Sequence, residues 1–114
     1  MAVPKLVGAF PLTQESINKN VASVSAGVYA LGKANSDRKF PVQRTGRSDD
    51  DVAGRLADHI GDYPEFMYAY CNNATAAFYA ECELHHEYNP SDNVYHPDRP
   101  NGTNLKCPRC KVFD

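Results

Sequence analysis

No run of apolar residues in this chain approaches the length of a membrane span, so no membrane-crossing helix and no membrane partner are expected. The opening MAVPKLVGAFPL is too short, and too broken by proline and glycine, for a signal peptide. The chain therefore reads as cytoplasmic. Excess charge is missing as well: the net charge is −2 at neutral pH, which removes any global signature of a nucleic-acid binder. There is no internal repeat and no low-complexity segment. Cysteine is sparse. In a cytoplasmic chain the four cysteines read as reduced or metal-bound rather than paired in disulfides, and the Asn-x-Thr sequons at Asn73 and Asn101 carry no meaning.

What is present is an ordinary globular composition. A chain of 114 residues, 42% hydrophobic and 23% charged, is one domain with enough material for a core. LTQESINKNV (12–21) reads as a short helix capped by Thr13, and AGVYALG (26–32) as a strand. KANSDRK (33–39) is turn-rich, and FPVQRTG (40–46) reads as a second strand. EFMYAYC (65–71) alternates as a third strand, with Phe66, Tyr68 and Tyr70 on one face. NNATAAFYAECELHHEY (72–88) is a helix capped at Asn73 or Thr75, with Ala77, Ala80, Leu84 and Tyr88 at core spacing, and Pro90 ends it. The order β-β-α-β-α predicts an α+β fold, with a small three-stranded antiparallel-type sheet flanked by helices and a loop-rich C-terminal tail.

Between the second and third strands lies GRSDDDVAGRLADH (46–59). Val52, Ala53, Leu56, Ala57 and Ile60 mark one face of a helix running to about Ile60, and Asp49 to Asp51 offer an N-cap oxygen. Arg55 and His59 fall on a single stripe away from that face. Arg38, Lys39, Arg44, Arg47 and Arg55 also crowd into positions 38–55, a local positive patch on an otherwise acidic chain.

The tail carries a second chemistry. Cys107 and Cys110 form CPRC, half of a zinc-knuckle pattern whose two-residue spacer lets both thiolates reach one metal. His96, with His86 or His85, is the nearest source of a second pair. Cys71 and Cys82 read as core residues. A structural Zn²⁺ would then tie residues 95–114 back onto the domain formed by residues 1–94. The alternative is two reduced thiols or a redox pair.

Taken in order, GVY (27–29), a second strand ending at Gly46, GRSDD, an Arg-x-x-x-His helix and AECELHHEYNPSDN (80–93) resemble the GIY-YIG nuclease domain, over residues 26–94. The resemblance implies a nuclease that binds and hydrolyses DNA rather than RNA, with Mg²⁺ or Mn²⁺. It makes Tyr29, Arg47, Arg55 and His59 catalytic and Glu81 the metal ligand, and it places Arg44, Arg47 and Asn93 against nucleic acid. Arg55 suits a phosphate, because its planar fork is permanently charged. Tyr29 and His59 suit proton transfer, provided nearby cations lower the phenol's pKa. One position departs from the family: the second motif ends Arg44-Thr45-Gly46, without its tyrosine. A weakened fold that binds nucleic acid or a protein without cutting is therefore the alternative. No separate DNA-reading module is visible, so a protein partner would supply specificity.

Overall fold

The computed structural model describes residues 4–33, 41–93 and 96–113. Seven elements follow one another: β1 (Val7–Pro11), α1 (Gln14–Asn20), β2 (Gly27–Gly32), β3 (Val42–Ser48), α2 (Val52–Ala57), β4 (Glu65–Tyr70) and α3 (Ala74–Tyr88). The strands form one antiparallel sheet in the order β1-β4-β2-β3. The expected β-β-α-β-α order runs from β2 to α3. The sheet has four strands rather than three, because VGAFP joins β4 along its outer edge. From residue 34 onward the turn expected at 33–39 lies outside the described residues, together with Arg38 and Lys39.

Three helix starts are capped by side chains. Thr13 accepts from the Ser16 N–H, Asp51 from the Gly54 N–H and Asn73 from the Ala76 N–H, each satisfying a donor the helix leaves unpaired. α2 is shorter than expected. Its hydrogen bonding tightens at the end, His59 N–H reaching the Leu56 carbonyl and Ile60 N–H the Ala57 carbonyl. These i to i−3 bonds replace the α pattern.

β2 is buried along its whole length. Tyr29 and Leu31 join Phe66, Tyr68, Ile17, Val52 and Leu56 in the larger core, which holds α1 and α2 against one face of the sheet. Val28 and Ala30 alternate to the other face, where α3 packs. The Tyr68 hydroxyl donates to the Asn20 carbonyl at 2.6 Å and pins the end of α1 to β4. Tyr70 keeps the expected face but is exposed at the strand end, where its hydroxyl accepts from the Ser23 N–H at 3.2 Å.

α3 departs from the single apolar stripe expected of it. Ala80 is half-buried and Tyr88 exposed, while Phe78, Glu81, Cys82, Glu83 and His85 are buried. The reason is the tail. Cys107, Leu105, Cys110 and Phe113 pack on Phe78, Tyr79 and Cys82, so the helix is covered by the sheet on one side and by residues 105–113 on another.

Candidate functional site

A cleft of about 400 Å³ opens beside β3 and is lined by Tyr29, Arg44, Arg47, Arg55, His59, Glu81 and Asn93, with Thr45, Gly46, Asp49, Asp58 and Asp98. All seven residues expected at the nucleic-acid and catalytic site thus border one space. The antiparallel register explains how they reach it. Tyr29 pairs with Gly46 and Val28 with Arg47, and directly paired residues share a face. Tyr29 therefore approaches β3 from the face covered by α2, and Arg47 from the face covered by α3.

Gly46 has a specific job in this arrangement. A Cβ there would collide with the Tyr29 ring and hydroxyl, so glycine lets the phenol lie across β3. The Tyr29 hydroxyl then sits 3.1 Å from His59 Nε2. His59 comes from the tightened turn after α2 and is swung inward, with its side chain 16% exposed; Arg55, on the helix proper, is 55% exposed. Among the described residues, Arg55 pairs with Asp58, at 3.8 Å. Asp51 is occupied as the N-cap.

Burial raises the Tyr29 pKa to about 12, with the Glu81 charge adding to it and Arg44 and Arg55 opposing. This corrects the expectation of a lowered phenol: loss of hydration outweighs the nearby cations. His59 moves the other way. Burial lowers its pKa, Arg44 lowers it further, and Asp62 and Asp58 resist. At neutral pH the pair is a protonated phenol beside a neutral imidazole.

Arg47 is the most heavily bonded residue of the cleft. Its Nε donates to Asp49 at 2.8 Å, and its Nη1 donates to Glu81 Oε1 at 2.8 Å and to the Asp98 carbonyl at 2.6 Å. Its guanidinium also stacks over the Phe78 ring, 5.4 Å from the centroid. Glu81 has its pKa raised by burial, which outweighs the Arg47 charge, and Asp49 and Asp98 push in the same direction.

Asn93 is tied to β3: its Oδ1 accepts from the Thr45 N–H at 3.1 Å and its Nδ2 donates to the Thr45 carbonyl at 2.7 Å. Sequence reasoning missed Asp98, whose backbone carbonyl does the bonding and leaves no side-chain signature. It also missed Tyr63, whose hydroxyl donates to Asp92 at 2.7 Å and whose ring stands 6.5 Å from His59.

Some distance along α3, a second group assembles. His86, His96, Cys107 and Cys110 each contribute one ligand atom, all within 4.8 Å of one another, and could hold a metal ion. Cys107 Sγ lies 3.3 Å from His86 Nε2, and the Arg109 N–H donates to that sulfur at 3.4 Å. His96 Nδ1 donates to the Pro97 carbonyl at 2.8 Å, which leaves Nε2 as the bare nitrogen; that atom is buried with no partner. Between the two histidines considered for the fourth ligand, His86 belongs to the group and His85 does not. None of the four cysteines is in a disulfide, and Cys82 is kept a thiol by burial and by its neighbour Cys107.

No family model matches the chain, and neither a curated protein nor a solved structure matches it. Among the described residues, no helix is long and apolar enough to cross a membrane.

Proposed function

We propose that the protein is a metal-dependent endonuclease of the GIY-YIG type, hydrolysing DNA phosphodiester bonds in the cleft beside β3. The observation that carries this reading is convergence. Residues drawn from β2, β3, α2, the turn after it, α3 and the loop beyond it, which the resemblance to the GIY-YIG domain implies as a site, border a single cleft. The order β2-β3-α2-β4-α3, with β1 and α1 before it, is compatible with that reading.

Each residue has a role that its surroundings allow. Arg55, exposed and loosely paired, offers its guanidinium fork to the non-bridging oxygens as their charge grows. Tyr29 receives a proton from the attacking water as it passes its own to His59 Nε2, so no free phenolate is needed. Arg47 holds the Glu81 carboxylate in place. Mg²⁺ or Mn²⁺ at Glu81 would supply positive charge to the phosphate and the leaving oxygen. In the tail, the same reading takes the ion held by His86, His96, Cys107 and Cys110 to be zinc, in a structural role.

One observation favours a second reading. Arg44 lines the cleft where the family would have its second tyrosine, and three arginines beside one another suit phosphate binding without cleavage. The deciding experiment incubates the protein with single-stranded, duplex and branched DNA plus Mg²⁺ or Mn²⁺, beside Glu81→Ala. Metal-dependent cutting that Glu81→Ala abolishes, with DNA binding retained, supports the nuclease. Binding without cutting in both proteins supports the binding module.

A further inference from the structure

Residues on either side of His96 in the chain fasten to β3, two of them at its backbone edge and one at the Arg47 side chain. The Asp92 N–H donates to the Gln43 carbonyl at 2.8 Å. The Asn93 amide brackets the Thr45 backbone, and the Asp98 carbonyl accepts from Arg47 Nη1. Gln43 and Thr45 lie on an edge strand that has no further strand beside it among the described residues. Residues 92 and 93 bond that edge, Asp98 reaches the Arg47 side chain, and His96 falls between them in the chain.

Residues 96–113 contain no helix or strand. The bonds to β3 are joined by a bond from the Tyr63 hydroxyl to Asp92 at 2.7 Å and by packing of the His96 ring on Phe113. His96 Nδ1 is committed to the Pro97 carbonyl, its Nε2 is buried without a hydrogen-bond partner, and the residue stands in one group with His86, Cys107 and Cys110. Two thiolates and two imidazoles are a soft, four-donor set that favours zinc and closes its tetrahedron, with no position left for a substrate. Around such an ion neighbouring donors stand ~3.3–3.8 Å apart, and Cys107 Sγ to His86 Nε2 is already 3.3 Å.

We propose that zinc in this group is a clasp for residues 92, 93 and 96–98, and that through the Asp98 carbonyl it sets Arg47 beside Glu81. His86 lies on α3 with Glu81, so one ion ties that helix, those residues on β3 and the CPRC turn together. The inference deepens the zinc reading of the tail given above and does not require the cleft to cut DNA. Arg47 would keep Asp49 and Glu81 as partners without the clasp, but its third acceptor would be free to leave.

The test uses the full chain purified without chelator. Zinc is counted by elemental analysis. Amide hydrogen exchange is then followed before stripping with a chelator, after it, and after zinc or magnesium is returned. One zinc per chain is expected. Stripping should remove protection at the Thr45 and Asp92 amides while the β2 amides stay protected, and zinc but not magnesium should restore it. His96→Ala should behave like the stripped protein, whereas His96→Cys, which keeps four ligands, should retain both zinc and protection. Zinc well below one per chain overturns the zinc reading itself. Full zinc with Thr45 and Asp92 unaffected by stripping overturns the clasp alone, as does loss of protection throughout β2, which would make the ion a general stabiliser.

Discussion

The Tyr29 ring lies across Gly46, its cross-strand partner, and carries its hydroxyl to within 3.1 Å of His59 Nε2. The contact depends on an absent side chain. In Gly46→Ala the new methyl would force the phenol aside, costing about 1–3 kcal/mol, as overpacking of a filled site does. The expected result is lower stability in urea melts together with a loss of cleavage at least as large as that of Tyr29→Phe. A Gly46→Ala protein with wild-type stability and activity would show that the phenol has room to spare.

His59 links this site to pH. Burial, then Arg44, keeps its folded pKa below the ordinary 6.5, so the unfolded chain takes up a proton at a higher pH than the native one. The contribution of His59 is therefore complete above about pH 6.5 and is lost as pH falls through the folded value. His59→Gln should flatten part of the rise in unfolding free energy between pH 5 and 7. An unchanged slope would mean that His59 is not shielded as described.

Arg55 should separate function from stability. Exposed and 3.8 Å from Asp58, it contributes little to the fold, and Arg55→Ala should change stability by no more than about 0.5 kcal/mol. Cleavage should nevertheless fall by about 10²–10³, the scale for one preorganised electrostatic group. Arg55→Lys should recover only part, since an ammonium cannot copy the fork. Complete rescue by lysine would show that charge alone matters there.

Arg44 can be read without any assay of cutting. Its charge lowers the pKa of His59 and opposes the rise at Tyr29. In Arg44→Tyr the His59 imidazole should titrate closer to its ordinary value by NMR, and cleavage should increase if a tyrosine belongs at this place. A variant slower than the parent would mean that the site is built around arginine.

Much of the fold is legible before any coordinates. Thr13, the run Asp49–Asp51, and Asn73 or Thr75 announce their helices by chemistry that is local, and the alternation of 65–71 needs no partner to be read. β1 is different. VGAFP holds a glycine and a proline and becomes a strand only because β4 offers an edge, a non-local fact that propensity does not carry. The cleft residues are those the family resemblance implies, and Cys107, Cys110 and His96 could be picked out from the tail, with His85 and His86 left open as the fourth. The protonation of Tyr29 could not, because it is set by burial. Nor could the part played by Asp98, which acts through a backbone carbonyl that every residue possesses.

The cover that residues 105–113 give to α3 has a consequence for how the chain can be cut. Phe78 and Cys82 are fully buried partly because Cys107, Leu105 and Phe113 lie on them. A protein stopped at residue 94 would keep the sheet, all three helices and most of the cleft. It would also turn an aromatic and a thiol outward on the same helix. Such a truncation should be sticky, concentrating into soluble aggregates on size-exclusion chromatography, and the boundary that looks natural in the sequence would be the wrong place to trim.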